Sequence, residues 1–553
     1  MRSVYLLLWL FAAGSLVYWY RMGQPQSIAD AAGEKLNCVS YSPFHLPGQT
    51  PFDRELVITP AQIEADLTAL SQQFGCVRTY SVDQGLDIVP SLAQKLGMQV
   101  WLGIWIGRDA AINEHEIALG TRLAREYPSV IRGLIVGNEV LMRREQTPAN
   151  LRSILADVRS RAPAIPVSYA DSWDFWLRYQ HEMADAVSFA TIHILPFWDD
   201  DTVAVSDAAH YVADTYHKVQ KEMGGKPLLI GETGWPSYGR QRQDAPASLR
   251  GQAQFIREFS AVARADDIPY NIIEAFDQPW KRRSEGAVGG YWGIFSADSQ
   301  AKFPLRGPIS EAPEWRTLSW LTMTVLFVLF GFLHWRRQGW DGSLLGITLP
   351  WSIFAGAASV AYWRDMWMTN RNWLEWSYSS LFALALLCAC YGFIRGAIKG
   401  ATIKGARLKT EADSVMHIDP VTFSTDSAPA AVVSLAPYMI PLRRLFLVAA
   451  AVVCLLMVFD LRNRDYPLAL FSAPALGWFL LASLGQQNNI LLEEKVCAIW
   501  IGFAGLWLPV IEHLIFSPDM SCRFADGINP NVFYWTGICL LLSLSILRGQ
   551  AQK

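Results

Sequence analysis

The sequence predicts an α/β chain in two parts: a (β/α)8 TIM barrel over residues 22–316, and an α-helical transmembrane region that brings the total to about eight spans. Three observations carry the prediction. Between residues 35 and 314, short β-branched runs alternate with amphipathic stretches in units of roughly 30 to 40 residues. Runs apolar enough to cross about 30 Å of hydrocarbon occur once at the start and repeatedly after residue 316, with none between. Of the 553 residues only 18% are charged and 52% are hydrophobic, against roughly 25% charged in soluble domains.

In the barrel, strands are expected at 37–41, 77–80, 99–104, 133–136, 166–169, 186–192, 227–230 and 270–273. Helices are expected at 60–74, 86–96, 114–127, 148–161, 204–223 and 247–264. Thr59-Pro60 and Thr147-Pro148 mark two helix starts, each a capping hydroxyl ahead of a proline already held at helical φ. Eight parallel strands with covering helices in about 280 residues fit one closed barrel. A doubly wound sheet is the alternative, but the sequence has no glycine-rich strand-to-helix turn of the dinucleotide or P-loop type.

The formal net charge of -3 offers no strongly basic surface, which argues against nucleic acid as a partner. Eight cysteines without a C-x-x-C pair exclude a disulfide-built scaffold and a zinc ribbon. Cys38 and Cys76 lie on consecutive strands; two separate buried thiols are expected there, with a disulfide as the alternative. Cys388, Cys390, Cys454, Cys497 and Cys539 fall in spans as apolar packing, and Cys522 is alone in an outer loop.

The chemistry of such a barrel belongs at the carboxyl ends of its strands. There the sequence places Tyr41, then Arg78 and Tyr80, Asn138 and Glu139, Asp171 and Trp173, His193, then Glu232, Trp235 and Tyr238, and finally Glu274, Trp280 and Lys281. Glu139 and Glu232 each follow a run of buried aliphatic residues, a placement with a large desolvation penalty unless the carboxylate serves a site. On strands four and seven they would face one another across the mouth. Glycoside cleavage needs such a pair, one carboxyl to protonate the departing oxygen and one to attack or stabilise the oxocarbenium ion. The alternative for either Glu alone is a salt bridge to Arg78 or Lys281. Trp173, Trp198, Trp235, Trp280 and Trp292 are candidate sugar platforms, or else rim packing. His193 has no second His at ligand spacing, so no metal and no cofactor are expected.

These residues carry a resemblance. The segments Cys38-Val39-Ser40-Tyr41-Ser42-Pro43-Phe44, Val77-Arg78-Thr79-Tyr80-Ser81, Val136-Gly137-Asn138-Glu139, Ala170-Asp171-Ser172-Trp173, Ile230-Gly231-Glu232-Thr233-Gly234-Trp235-Pro236 and Glu274-Ala275-Phe276-Asp277-Gln278-Pro279-Trp280-Lys281 resemble glycoside hydrolase family 17, the β-1,3-glucanase and glucanosyltransferase family. The resemblance covers the barrel alone. It implies a retaining mechanism on β-1,3-glucan, with Glu139 as acid/base, Glu232 as nucleophile and Asn138 on the sugar 2-OH. Gln278 departs from the pattern, since relatives often carry an acid there. A family 17 barrel joined to many spans is similar to proteobacterial β-(1,6)-glucan synthase proteins. That likeness implies a multi-pass bacterial inner-membrane enzyme with its barrel in the periplasm, working on a β-glucan oligosaccharide or polysaccharide, beside a separate glucan synthase or export complex. The cytoplasmic loops are too short for a nucleotide-sugar domain, and Asp199-Asp200-Asp201 lies on the outer side, so the donor must be an existing glucan. Transglycosylation is the expected reaction; hydrolysis, or an inactive glucan-binding or export component, are the alternatives.

The first apolar run, 4–20, reads as an uncleaved signal anchor (residues 1–21), because Ala29-Asp30-Ala31 lies too far beyond it for signal cleavage. Seven more runs, at 317–334, 344–363, 374–394, 442–459, 466–484, 496–516 and 532–547, form a polytopic domain over 317–553 in contact with the lipid bilayer. Arg336, Arg337, Arg395, Lys399, Lys404, Arg407, Lys409, Arg443, Arg444, Lys495, Arg548 and Lys553 fall on one side of these spans; Arg364, Arg371, Arg462, Arg464 and Arg523 fall on the other. The excess of positive charge assigns the first side to the cytoplasm. The segment 395–441 reads as a flexible cytoplasmic linker, and Glu512-His513 as an interfacial pair.

Overall fold

Short aliphatic runs become strands here because both faces are covered, one by the barrel interior and one by helices. The computed structural model describes residues 2–200, 202–335, 342–416, 437–460, 462, 464–483, 490–516 and 529–548. Asp201, Arg336, Arg337, Cys522, Arg523, Lys553 and residues 417–436 of the expected linker lie outside them. The chain divides into two compact units, Pro25–Glu311 and Met1–Gln24 with Ala312–Lys553.

In the first unit the strands are β1 (Leu36–Ser40), β2 (Phe74–Arg78), β3 (Gln99–Ile104), β4 (Ile131–Asn138), β5 (Val167–Ser172), β6 (Ala190–His193), β7 (Leu228–Thr233) and β8 (Tyr270–Ile272). They are parallel in sequence order and close as β8 pairs with β1, which gives the (β/α)8 barrel. The covering helices are α2 (Pro60–Ser71), α3 (Val89–Lys95), α4 (Ala110–Glu126), α5 (Pro148–Arg161), α6 (Trp173–Met183), α7 (Val205–Glu222) and α8 (Leu249–Ala265), with a short α9 (Arg282–Glu285) after β8. Thr59 and Thr147 cap α2 and α5 through their hydroxyls, with proline at the first turn of each. Beside one pairing irregularity between Val100 and Trp101 in β3, three fall near the carboxyl ends of β4, β6 and β7, between Ile135 and Asn138, Ile192 and His193, and Ile230 and Thr233. Such departures re-aim side chains, and those three sit where the site residues leave the sheet.

Cys38 and Cys76 correct the expectation of separate thiols: they form a disulfide. The parallel register sets them directly opposite on β1 and β2, with Cα atoms 4.5 Å apart, within the range a disulfide spans.

The second unit is helical: α1 (Arg2–Gly23), α10 (Trp315–Trp335), α11 (Gly342–Thr369), α12 (Trp373–Met416), α13 (Met439–Phe459), α14 (Leu468–Ser483), α15 (Leu492–Phe516) and α16 (Asn531–Leu547). Each of the eight apolar runs is helical, but among the described residues three helices are long and apolar enough to cross a membrane: Trp373–Ala397, Met439–Phe459 and Leu492–Leu514. α14 and α16 are apolar but have 16 and 17 residues. At 1.5 Å per residue they reach about 24 to 26 Å, short of about 30 Å of hydrocarbon. One expectation changes. α12 continues through Met416, so the first half of the expected linker is helix, with Ala, Lys, Arg and Glu, which are good helix formers, at 10 of the 22 residues from 395 to 416. Glu512 does not stand in the open: it is 1% exposed, accepts from Tyr466 Oη at 2.6 Å and lies 3.4 Å from the buried Arg464 guanidinium.

Candidate active site

Glu139 owes its direction to two left-handed residues beside Asn138. Gly137 has φ +80° and Glu139 itself φ 54°. A Cβ on Gly137 would come within 2.7 Å of Val140 Cγ2, so glycine is required at that turn. Glu139 is anchored by its backbone, donating to Ala170 O at 2.8 Å and accepting from Arg143 N at 2.8 Å.

Glu232 comes off β7 beside His193, its register partner on β6. Arg78, at the end of β2 and 1% exposed, organises the floor. Its Nη1 donates to Glu232 Oε1 at 2.9 Å and to Gly231 O at 3.0 Å, and its Nη2 donates to Asn138 Oδ1 at 2.6 Å. Tyr80 Oη donates to the same Glu232 oxygen at 2.7 Å, and the guanidinium lies 4.5 Å from the Tyr80 ring centroid. Because Arg78 can only donate, Asn138 must turn its carbonyl oxygen inward. His193 Nε2, 3.1 Å from that oxygen, is then the protonated nitrogen. Its Nδ1 is buried with no hydrogen-bond partner among the described residues.

One carboxylate oxygen of Glu139, one of Glu232 and a ring nitrogen of His193 all lie within 4.8 Å of one another. These three could ring a cation, but Glu232 already accepts from the Arg78 cation and the Tyr80 hydroxyl. The two carboxyls are driven apart in acidity. Burial, reinforced by the charges of Glu232 and Asp171 and opposed by Arg143 and Arg78, pushes Glu139 up to about 8. Burial also works to raise Glu232, but His193, Arg78, the Tyr80 hydrogen bond and Lys281 outweigh it, and the net direction is downward. Burial, with Arg78 acting in the same direction, holds His193 itself at about 4, so at neutral pH the fixed cation beside Glu232 is Arg78. The surroundings therefore favour the proton on Glu139 and the charge on Glu232.

The other site residues of the sequence reading fall into two groups. Glu274 is buried, accepts from Lys281 Nζ at 2.8 Å and is pushed up to about 7, chiefly by burial. Its Oε1 has no hydrogen-bond partner among the described residues. The charge of Lys281 reaches Glu232, so this pair belongs to the same floor. Trp280 is half-buried beside it, donating to Gln278 Oε1 at 2.7 Å. Tyr238 is half-buried against Tyr291, with centroids 5.7 Å apart.

Tyr41 and Trp235 are not brought to the carboxylates. Tyr41 is fully buried and donates to Asp66 Oδ2 on α2 at 2.8 Å; Trp235 is fully buried and donates to Pro246 O at 3.0 Å. Asp171 is buried one layer back, accepting from Tyr169 Oη and from Ser172 N at 2.9 Å, and it acts on Glu139 through its charge. Trp173 opens α6 and packs against the barrel core, with Lys218 Nζ 5.0 Å from its ring centroid.

Sequence reasoning missed Glu116, Arg143 and Glu285. Glu116 on α4 accepts from the Ser81 hydroxyl and from Val82 N and Trp105 N, both at 3.1 Å, and so ties the end of β2 to that of β3. A Glu on the buried face of an amphipathic helix was the available signal. Arg143 donates to Asn138 O and to Glu145 Oε2 at 2.8 Å, clamping the turn that presents Glu139. Glu285, on α9, acts electrostatically on Lys281 and Glu232 from a segment with no periodic pattern.

Residues 38–293 match the model of the BtgE/BtgC glycoside hydrolase domain. A glucan 1,3-beta-glucosidase of Saccharomyces cerevisiae is 26% identical over 262 residues, covering 44% of this chain and 84% of the relative. One of Arthroderma benhamiae is 29% identical over 269 residues, covering 44% and 83%. Among solved structures, a glycoside hydrolase family 17 beta-1,3-glucanosyltransferase from Rhizomucor miehei is 24% identical, with 49% of this chain and 97% of that one covered and a TM-score of 0.43. The barrel is thus similar to glycoside hydrolase domains over residues 38–293, and the chain that carries it is an enzyme whose relatives include glucan 1,3-beta-glucosidases.

Proposed function

We propose that the chain is a membrane-held retaining β-glucan transglycosylase that acts on β-1,3-glucan and forms β-1,6 linkages or branches, with its barrel on the outer face of a bacterial inner membrane. The observation that carries the chemistry is the approach of the Glu139 and Glu232 oxygens within 4.8 Å, with opposite protonation. Retaining pairs stand about 5 to 5.5 Å apart, while an inverting water needs roughly 6.5 Å or more.

In the first step Glu232 attacks the anomeric carbon and the glycosidic bond breaks as Glu139 gives its proton to the departing oxygen. An acceptor hydroxyl oxygen then attacks the same carbon, passes its proton to Glu139, and the bond to Glu232 breaks. Asn138, its oxygen held by Arg78 and His193, is left with its amide nitrogen to donate to the sugar 2-OH, a contact that strengthens as positive charge develops. The substrate class is supported by the relatives' names, among them a beta-1,3-glucanosyltransferase in complex with laminaritriose. Those same names favour hydrolysis as the second reading, in which water replaces the acceptor.

The membrane setting is supported by three long apolar helices, by the asymmetry of Lys and Arg between loops, and by the disulfide, which suits an oxidising compartment. Incubating the detergent-solubilised chain with laminari-oligosaccharides and analysing product length and linkage tests the proposal. Longer or 1,6-branched products are expected. Shorter products alone mean hydrolysis, and no change beside measurable binding means a glucan-binding component.

A further inference from the structure

Phe52 has no part in the chemistry above, yet it is held out in water, 75% exposed, on a braced loop. Between β1 and α2, Gln84 Nε2 donates to Asp53 O at 2.7 Å and to Leu56 O at 3.2 Å, and Ile58 N donates to Gln84 O at 2.9 Å. Gln62 Nε2 donates to Pro43 O at 2.7 Å, and His45 is fixed between Asp66, at 3.1 Å, and Ala297 O, at 2.8 Å. A loop this constrained forgoes the burial that a phenyl ring ordinarily gains.

The ring meets Trp280 edge to face, with centroids 5.4 Å apart and planes at 88°. Trp280 is fixed in turn. Its indole N–H donates to Gln278, which is fully buried and donates through Nε2 to Ser42 O at 2.8 Å, tying the β8 loop to the β1 loop. The next residue, Lys281, holds its Nζ 5.8 Å from the Trp280 centroid and 2.8 Å from Glu274. The aromatic corner thus adjoins the charged floor around Glu232.

Its place in the barrel decides which end of the substrate it meets. The order is closed from β1 to β8, so the β8/β1 rim lies half a turn from β4, where Glu139 emerges, and next to β7, which carries Glu232. The acid protonates the departing oxygen, so the leaving part extends past β4 and the retained chain extends the opposite way. We infer that Phe52 and Trp280 form a stacking subsite for a glucose unit of the retained chain, beyond the unit that becomes bonded to Glu232. Two ring faces nearly at right angles suit a 1,3-linked glucan, whose successive units turn, better than a flat ribbon. Through this contact the donor stays seated while leaving group and acceptor exchange.

The inference rests on the β-1,3-glucan reading, and the test separates the two. In the detergent-solubilised chain, initial rates are measured for laminaritriose and laminarihexaose. Phe52→Ala should reduce kcat/KM on the hexaose about tenfold more than on the triose, mainly through KM, as expected for one lost ring contact. Phe52→Trp should restore the length dependence and Phe52→Leu, which keeps apolar volume without a ring face, should not. Thermal unfolding of each variant checks the fold, and Phe52→Leu reads the ring contact if Phe52→Ala unfolds. Equal losses at both lengths, or no loss, overturn the subsite while the glucan reading stands. A wild-type chain that turns over neither oligosaccharide overturns the glucan reading and the subsite with it.

Discussion

Replacing Arg78 by Met tests the electrostatic division of labour most directly. The side chain is buried and supplies hydrogen bonds to Glu232, Asn138 and Gly231. Met keeps much of its volume and removes the charge. Breaking a buried pair in this way leaves an uncompensated carboxylate and costs about 3 to 5 kcal/mol, which Glu232 relieves by taking up a proton. Each pKa unit corresponds to about 1.4 kcal/mol, so a rise of roughly two units or more is expected. The proposed mechanism needs Glu232 ionised and Glu139 protonated. It therefore rises as pH climbs through the Glu232 pKa, which lies below the ordinary value, and falls through that of Glu139, at about 8. Arg78→Met moves the rising limb of the kcat/KM profile to higher pH and narrows the bell. Loss of the same cation also nudges the falling limb upward, since Arg78 lowers Glu139. Arg78→Lys, which keeps a charge without the fork that spans Glu232 and Asn138, should lie between. The assay is the pH dependence of kcat/KM on a laminari-oligosaccharide. A variant that is folded and has an unmoved rising limb would refute the role given to Arg78 and to Glu232 as the anion.

Four further outcomes are expected. Glu232→Ala should abolish transfer and hydrolysis together, and retained turnover by product analysis would remove it as nucleophile. Glu139→Ala should lose activity on oligosaccharides but spare bond cleavage from an aryl glucoside whose leaving group needs no proton, read as aryl release with added azide capturing the glucosyl-enzyme. Gly231→Ala places a Cβ 2.4 Å from Thr191 Cγ2 and 3.0 Å from His193 Cε1, so it should destabilise by about 1 to 3 kcal/mol and lower kcat, measured by unfolding and steady-state kinetics. The Cys38–Cys76 bridge closes a separation of 38 residues, for which chain entropy gives about 4 kcal/mol; Cys38→Ser with Cys76→Ser should lower the unfolding midpoint, and peptide mapping of the wild type should recover the linked pair.

The barrel was legible because its signals are local. Eight aliphatic runs, spaced by helices that open on Thr-Pro or Ser caps, leave few topologies. The carboxylate pair was legible for the same reason, each Glu ending a strand too apolar to hold a charge idly. What periodicity does not carry is direction across the barrel. Tyr41 and Trp235 sit at strand ends like Tyr80, but the first turns toward Asp66 and the second packs between Phe197 and Phe255. Register likewise decided the cysteines: one residue of slip between β1 and β2 would have kept two thiols apart. In the helical unit, composition found the helices but not the partners, so the contacts of Glu512 with Arg464 and Tyr466 were not legible.

The same geometry bears on how the enzyme would favour an acceptor over water. Partition of a glycosyl-enzyme depends on the local concentration and alignment of the second nucleophile, which proximity can raise by many orders of magnitude. Glu139 must accept a proton in that second step, and its elevated pKa makes it a competent base once it has given its proton away. The floor beneath Glu232 is filled by Arg78, Tyr80 and His193, so in the proposed mechanism the second nucleophile would enter from the β4 side, past Glu139. An acceptor sugar that occupies this entrance both excludes water and presents its hydroxyl to the base. On the proposed transfer reading, discrimination between transfer and hydrolysis would therefore reside in the residues lining the β4 and β5 loops, while the proposed stacking subsite on the β8 and β1 side would govern how long the donor chain remains in place.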